Sequence, residues 1–251
     1  MLILIDADMY VYHSCAACET EIDWGNDLWT LHVDFNEAKA HFIDKLHHDM
    51  EVAFQKLDFA GTFDVIFCFS DKKNFRKKIY PLYKANRTQR KPVAYSAMVD
   101  WVKDNYKWEQ YEYLEADDVI GIIATAPENK DNCIILSGDK DMKSIPAHFY
   151  NFSTGEFTTS HKATADRWFY MQTLVGDTTD NYGGCPKIGK VTAEKILNAD
   201  CCWENVLKTF QRAGLDYEYA LTQARLARIL RYEDYDLTTR KIKLWKPTEH
   251  D

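Results

Sequence analysis

Apolar and polar positions divide the chain into two stretches of different rhythm. Met1–Ile5 and Cys133–Ser137 are short apolar runs without alternation, the pattern of strands buried on both faces, and Phe63–Phe69 and His148–Phe152 read the same way. From Asp34 to Leu57, apolar side chains recur at helical spacing (Phe35, Ala38, Phe42, Leu46, Met50, Phe54, Leu57), which predicts one long amphipathic helix. Tyr95–Tyr106, carrying Met98, Trp101 and Val102, and Ala116–Ala126 are predicted helices, and Tyr111–Leu114 a short strand. Strands alternating with helices imply a mainly parallel α/β sheet flanked by helices. After about residue 160 the pattern turns helical, at Ala165–Val175, Val191–Leu197 and Leu221–Leu230, and ends in an extended tail, Ile242–Pro247, whose Trp245 is expected to dock. These rhythms predict a sheet domain over residues 1–162 and a helical region over 163–251, fused without a Pro/Ser-rich linker, repeat or low-complexity stretch.

Most predicted strand or loop ends carry acids. Asp6 follows Leu2-Ile3-Leu4-Ile5, Asp71 follows the strand at Phe63–Phe69, and Asp139 and Asp141 follow Ile134-Ile135-Leu136-Ser137-Gly138. Glu115, Asp117 and Asp118 open the helix at Ala116, where the helix dipole favours negative charge, and Asp177 and Asp180 lie in a loop rich in Gly and Asp. In parallel α/β sheets, sites form outside the carboxyl ends of the strands, so one architecture gathers distant clusters at one edge. Gathered there, nine carboxylates repel each other unless cations bind between them. Oxygen-only donor sets favour hard ions such as Mg²⁺ or Mn²⁺, and two such ions roughly 3.5–4 Å apart can activate a water and stabilise the leaving oxygen of a phosphodiester. Taken singly, Asp139/Asp141 reads equally as a helix cap and Asp117/Asp118 as first-turn decoration; the five clusters together point to metal-dependent chemistry.

The formal net charge of −8 argues against a nucleic-acid partner only on average. Discounting the nine clustered acids brings it to +1. Between Lys72 and Lys91 stand Lys72, Lys73, Arg76, Lys77, Lys78, Lys84, Arg87, Arg90 and Lys91, with no acid from Lys72 through Val99. A phosphate feels this local charge. Pro81 and Pro92 prevent the segment from forming one continuous helix. Its basic residues can screen phosphates while its aromatics stack on an unpaired base. Farther on, Gly183-Gly184-Cys185-Pro186-Lys187-Ile188-Gly189-Lys190 is a Gly-bounded loop leading into a helix at Val191, whose N–H groups suit a DNA phosphate. The seven cysteines, with Cys15-x-x-Cys18 lacking a matching second pair, read as reduced thiols rather than a zinc site. No apolar run approaches the roughly 20 residues of a membrane span, and no basic n-region precedes the first strand. A cytosolic protein is expected.

In order, Ile5-Asp6-Ala7-Asp8, Tyr83-Lys84-Ala85-Asn86-Arg87, Lys91-Pro92-Val93, Glu115-Ala116-Asp117-Asp118-Val119, Ser137-Gly138-Asp139-Lys140-Asp141, Gly176-Asp177-Thr178-Thr179-Asp180, Gln223–Arg231 and Leu244-Trp245-Lys246-Pro247 cover almost the whole chain. This set resembles the 5′-nuclease superfamily, which includes flap endonucleases and the 5′-nuclease domain of bacterial DNA polymerase I. Within it the set is most similar to the phage 5′→3′ exonucleases of the T-seven kind. The resemblance implies a PIN-like sheet with a C-terminal helix–three-turn–helix region. It implies metal-site roles for Asp6, Asp71, Glu115, Asp117, Asp118, Asp139 and Asp141, with Asp177 and Asp180 as the pair from the helical region and Asp8 beside the site. It implies that Lys84 and Arg87 contact the scissile phosphate and that Tyr83 stacks on the terminal base. Arg76 and Lys78, and Gly184, Lys187, Gly189 and Lys190 in the helix–three-turn–helix, are the expected DNA contacts, with K⁺ as an expected occupant of that loop.

The function expected is a divalent-metal-dependent 5′→3′ exodeoxyribonuclease, a monomer acting on duplex DNA from 5′ ends in the cytoplasm of a phage-infected host. RNase H-type removal of RNA from RNA–DNA hybrids is part of the same expectation. A structure-specific 5′ flap endonuclease is the alternative, although the basic segment is short for threading long flaps. Separately, the stretch around Asn198–Trp203 is compact compared with the phage relatives, a departure with no evident physical consequence. A PIN-type ribonuclease would lack the Gly184–Lys190 grip. A non-catalytic DNA-structure-binding module would not need the acids.

Overall fold

The computed structural model describes residues 1–248; the last three residues of the predicted 163–251 region lie outside them. In chain order the elements are β1 (Leu2–Asp6), α1 (Ala7–Ala17), β2 (Glu19–Asp23), β3 (Trp29–Val33), α2 (Phe35–Leu57), β4 (Asp64–Cys68), α3 (Arg76–Ile79), α4 (Tyr95–Asn105), β5 (Trp108–Glu109), α5 (Ala116–Ala124), β6 (Cys133–Ser137), β7 (His148–Asn151) and β8 (Glu156–Thr159). The helical region follows with α6 (Lys162–Val175), α7 (Lys190–Ala199), α8 (Trp203–Arg212) and α9 (Tyr217–Ala227), then the short pair β9 (Tyr235–Asp236) and β10 (Lys241–Ile242).

Among the described residues the main sheet has six strands in the order β5-β4-β1-β6-β7-β8, all parallel except the antiparallel edge strand β8. Central β1 pairs on both sides, Ile5 with Phe67 of β4 and with Leu136 of β6. The chain first builds leftward from β1 to β4 and β5, then crosses to β6 on the other side of β1. That reversal leaves a crevice at the carboxyl ends of β1 and β6, the position where α/β sheets place their sites. One sheet face packs α1, α2 and α4 through Tyr10, Phe42, Met98 and Val102, and the other packs α5 through Val119, Ile120 and Ile122. Both faces are therefore dry, which explains the unalternated apolar runs.

The amphipathic prediction for α2 holds, with Asp34 as its N-cap, accepting the N–H groups of Asn36 and Glu37. The expected strand at Tyr111–Leu114 is a turn instead. Tyr113 sits at φ 65°, and the edge strand is Trp108–Glu109. The β2–β3 hairpin, α1 and α8 were not predicted. Trp245 docks as expected, buried edge-on against Phe169 and Trp203 in the core of the helical region. All seven cysteines are free thiols.

The chain returns from α9 to the sheet through residues 228–231, which press directly on α5. A methyl group at Gly121 would be driven into the Leu230 carbonyl oxygen and against Ile229. Glycine here is a packing requirement of that contact. Gly121→Ala should therefore lower the stability of the fold by about 1–3 kcal/mol despite its better helix propensity. Urea denaturation checks this, and an unchanged or raised midpoint would show that the contact yields freely.

Candidate active site

Because β1, β4 and β6 are parallel, their carboxyl ends lie side by side. Asp6 ends β1 and caps α1, its Oδ1 accepting the Met9 N–H at 3.3 Å. Its Oδ2 accepts the Ser137 hydroxyl at 2.6 Å, and Ser137 Oγ accepts the Asp139 N–H at 3.0 Å. Asp139 in turn caps the short turn Lys140–Ser144, accepting the Asp141 N–H at 2.9 Å. Asp117, in the first turn of α5, lies in the field of Asp6, Asp139 and Glu115, and Asp141 in that of Asp139 and Asp177. The Lys140 ammonium stands 3.1 Å from Asp141 and 3.6 Å from Asp177.

Burial sets the electrostatics of this group. Loss of water, reinforced by Asp8 and Asp139, pushes Asp6 up to about 7 against its Ser137 hydrogen bond. Burial with Asp139 and Asp177 nearby pushes Asp141 up to about 7 as well, although Lys140 opposes it. Asp117 is raised by burial and by its acidic neighbours. Glu115 goes the other way. Burial alone would raise it, but Lys84 and Arg76 hold it down to about 2.

Glu115 belongs to a second group in which the basic segment meets the helical region. The Lys84 ammonium pairs with Glu115 and lies 3.4 Å from Asp180. The Tyr83 hydroxyl lies 2.9 Å from Glu115 and 2.7 Å from Asp180, its one proton shared between the two carboxylates, and Arg87 reaches Asp180 at 2.7 Å. One backbone bond and two from asparagine side chains clamp the same two loops. The Lys84 N–H donates to Asp180 O, the Asn181 amide to Leu82 O and the Asn86 amide to Thr178 O. Sequence-distant Asp180 is thus brought to Lys84, Arg87 and Glu115, while Asp177 joins Asp141 through Lys140.

Three expectations are corrected. Arg76 is not on the surface: it is 2% exposed and forms ion pairs with Asp118 and Glu115. Asp118, expected among the metal acids, is fully buried, and its oxygens accept two bonds from Arg76 and one each from the N–H groups of Leu230 and Glu115. A carboxylate has about four lone-pair positions, and all are taken. Tyr83 is 2% exposed with its hydroxyl engaged, so its ring has no free face for a base.

Asp71 lies beside the start of α5, its N–H donating to Leu114 O while its carboxylate accepts the N–H groups of Lys72 and Tyr113. Lys78 is exposed, its ammonium 4.0 Å from the Tyr113 ring centre. Gly184 is buried at φ 61°, its N–H held by Gln223, whereas Lys187, Gly189 and Lys190 are exposed at the start of α7, and a side chain at Gly189 would meet open space. Sequence reasoning missed Ser137, Lys140, Gln223 and Tyr182. Tyr182 is buried in the field of Asp141, Asp177 and Asp180. Ser137 and Lys140 stand within the strand-end motif itself, which was their signal. Asp8 supports the loop after β4, accepting the Ser70 N–H at 2.8 Å and the Tyr95 hydroxyl at 2.7 Å.

The family described as "5′-3′ exonuclease, N-terminal resolvase-like domain" matches residues 1–166. The chain belongs to the 5′-3′ exonuclease family. Across 98% of its length this exonuclease is 29% identical to the exodeoxyribonuclease of Enterobacteria phage T3, covering 93% of that protein, and equally to the exonuclease of Escherichia phage T7. Its fold is shared with the phage T5 D15 flap endonuclease solved with DNA and metal ions, at a TM-score of 0.62 and 16% identity over 90% of this chain and 88% of that one. A T5 5′-exonuclease with bound zinc aligns equally well, at a TM-score of 0.62 and 17% identity.

The exonuclease's acids suit divalent cations. The Asp141 Oδ1 atom is buried and receives no well-oriented hydrogen bond, although Lys140 is near. Asp6, Asp117 and Asp141 are carboxylates whose charge the surrounding protein leaves only partly compensated. Among the described residues no three of these side chains already converge on one point. They form a chain of acids with Lys84 and Lys140 between its members.

This electrostatic imbalance has a consequence for stability. Asp6 and Asp141 titrate near 7 in the folded protein and near 3.8 as free groups. Between those values the folded state holds the extra protons, so their contribution favours folding at low pH and is lost as pH rises through about 7. In EDTA the protein should be less stable at pH 8 than at pH 5.5, with these two groups contributing on the order of a few kcal/mol to the difference. The double variant Asp6→Asn/Asp141→Asn should flatten the dependence, and Mg²⁺ should offset it in the wild type. Urea titrations at both pH values decide the matter; equal slopes for wild type and double variant would contradict the assignment.

Proposed function

We propose that this 5′-3′ exonuclease hydrolyses duplex DNA from 5′ ends with Mg²⁺ or Mn²⁺. The observation that carries the reading is the meeting of Lys84, Arg87 and Asp180 with Glu115 at the carboxyl edge of the sheet. Basic side chains suited to a phosphate and acids suited to cations share one place there. Residues 1–162 carry the chemistry, and the helical region from 163 grips the duplex. The T3 and T7 relatives are named as exonucleases, and a T5 relative was solved with DNA and metal ions, which supports this substrate and cofactor class.

Asp6, Asp117, Asp139 and Asp141 would hold the cations, with Asp71, Glu115, Asp177 and Asp180 at the flanks. Bound there, the cations supply an activated water and charge stabilisation for the leaving oxygen. The backbone N–H groups at Gly189 and Lys190, with Lys187, hold a duplex phosphate at the start of α7. Lys84 and Arg87 orient the scissile phosphate and neutralise charge as it develops. Lys78 is exposed and is a further proposed DNA contact. K⁺ at the Gly184–Lys190 loop, and RNase H-type cleavage of hybrids, belong to the same proposal, as do a monomeric state and action in the cytoplasm of a phage-infected host. Among the described residues no helix is long and apolar enough to cross a membrane. Compactness of the basic segment supports exonuclease over flap-threading action: its helix α3 is four residues long, and Arg90 pairs back onto Glu19 of β2.

A blunt duplex labelled at its 5′ terminus, incubated with Mg²⁺, should release label as mononucleotides or short oligonucleotides. Absence of a metal-dependent product, or cleavage from 3′ ends only, would refute the proposal. A 5′-flap substrate run in parallel separates exonuclease from flap endonuclease action. Asp139→Asn should abolish turnover and largely spare duplex binding; near-normal turnover would remove Asp139 from the site. Lys84→Ala should slow single-turnover cleavage by at least ~100-fold, about 2.7 kcal/mol, with metal binding retained. An unchanged rate would deny Lys84 a role in the transition state.

A further inference from the structure

Arg76 stands in the middle of the basic segment, yet its guanidinium makes no use of that position. It has five N–H donors, and all five are committed. Nε donates to Leu226 O at 3.1 Å, and one terminal nitrogen donates to Glu115 at 3.1 Å and Asp118 at 2.7 Å. The other donates to Asp118 at 2.7 Å and Arg228 O at 2.5 Å. No donor remains for a phosphate. The four acceptor positions of Asp118 are likewise filled, one of them by the Leu230 N–H.

The partners come from separate parts of the chain. Glu115 and Asp118 bracket the first turn of α5. Leu226 and Arg228 stand at the end of α9, in the segment that carries the helical region back to the sheet. Arg76 itself is in α3, one short turn before the loop bearing Lys84 and Arg87. The fork therefore ties three segments at one buried point, and Gly121 lets the same return segment lie flat on α5.

We infer that Arg76, with Asp118, is a positioning residue that fixes Glu115 and the basic loop to the helical region, so that DNA grip and cleavage move as one rigid unit. This rests on the reading of the site as a metal-dependent nuclease. Arg76 acts through Glu115, whose carboxylate it holds in place beside Lys84, and it touches neither substrate nor cation. A lysine at this position would keep the charge but has at most three donors and no planar fork, so it cannot hold Asp118, Glu115 and two carbonyls together.

The experiment compares Arg76→Lys, Asp118→Asn and the double variant, each first shown by circular dichroism to be folded at the assay temperature. Duplex binding is measured in Ca²⁺ over a range of salt, Mn²⁺ binding by calorimetry without DNA, and cleavage under single turnover in Mg²⁺. Arg76→Lys should slow cleavage at least about tenfold at saturating DNA, and the slope of log Kd against log salt should stay that of the wild type. A surface arginine bound to a phosphate would instead lose a slope of about 1 on replacement by a neutral residue, so Arg76→Met is included for that comparison and should also leave the slope unchanged. Asp118→Asn should slow cleavage as Arg76→Lys does, and the double variant should be no more than about threefold slower than either, because the pair acts as a unit. Mn²⁺ stoichiometry should be unchanged in Asp118→Asn.

A reduced salt slope for Arg76→Met, a Mn²⁺ ion lost in Asp118→Asn, or a folded Arg76→Lys protein that cleaves within twofold of wild type would each overturn the inference. The salt slope and the Mn²⁺ titration need no turnover. They judge Arg76 and Asp118 even if the wild-type protein fails the cleavage assay, an outcome that would count against the nuclease reading alone.

Discussion

Repulsion among carboxylates at the carboxyl edge of the sheet is the constraint on which the site is built. Two like charges about 4 Å apart repel by roughly 4 kcal/mol in a partly buried setting, so Asp6, Asp117, Asp139 and Asp141 could not be held together by a pliable scaffold. The scaffold is stiff. Asp6 ends a strand hydrogen-bonded on both sides, and Asp117 begins a helix whose other face is fully buried. Ser137 and the turn at Lys140–Ser144 fix Asp139 and Asp141 relative to Asp6. The dry parallel sheet is thus the means by which charge is concentrated, and protonation, lysines or cations must answer it.

The protein answers with lysine and arginine at both ends of the acid chain, in different ways. Lys140 and Lys84 are single ammonium groups on flexible stems, each set between two acids. Arg76 is a planar fork, spent entirely on carboxylates and carbonyls of the protein. The first kind of partner is exchangeable and the second is not. Neutralising the site with lysines leaves its acids available to cations, whereas the Arg76–Asp118 pair is closed in both directions. A buried pair of this kind costs desolvation on both sides and is weak as a source of net stability, but losing one partner strands the other charge. Its value lies in where it places α5 and the return segment.

Much of the fold was legible because burial on two faces leaves a plain mark. Leu2–Ile5 and Cys133–Leu136 could be little else than interior strands, and acids at their ends inherit a common edge from the parallel topology. The hairpin β2–β3 left no such mark. Its strands, Glu19–Asp23 and Trp29–Val33, are largely exposed, so neither face imposes an apolar rhythm. The site was legible to the level of clusters and not of single residues. Asp117 and Asp118 are adjacent in sequence and point about 100° apart around a helix, one into the crevice and one into the Arg76 fork. Composition cannot separate them, because the helix's rotation is set by Val119, Ile120 and Ile122 packing on the sheet. Arg76 and Lys78 raise the same difficulty: both are basic, two positions apart, one buried and one exposed.

The loop carrying Lys84 shows how an ammonium can be held near acids without being consumed by them. Its backbone is fixed by the Lys84 N–H on Asp180 O and by the amides of Asn86 and Asn181 on carbonyls across the two loops. None of these bonds involves a charged side chain. Lys84 itself has φ 54°, a left-handed conformation that a non-glycine residue adopts at a cost of about 1 kcal/mol or more, and the cross-loop bonds maintain it. The Cα is therefore held by bonds other than the ion pairs. The four-carbon stem leaves the ammonium free to turn without moving the loop, while Glu115 stays held by Arg76 and Tyr83 and Asp180 by Arg87 and Tyr83. Confining that freedom to side-chain torsions keeps its cost low and lets the acids and the bases of this site share so small a space.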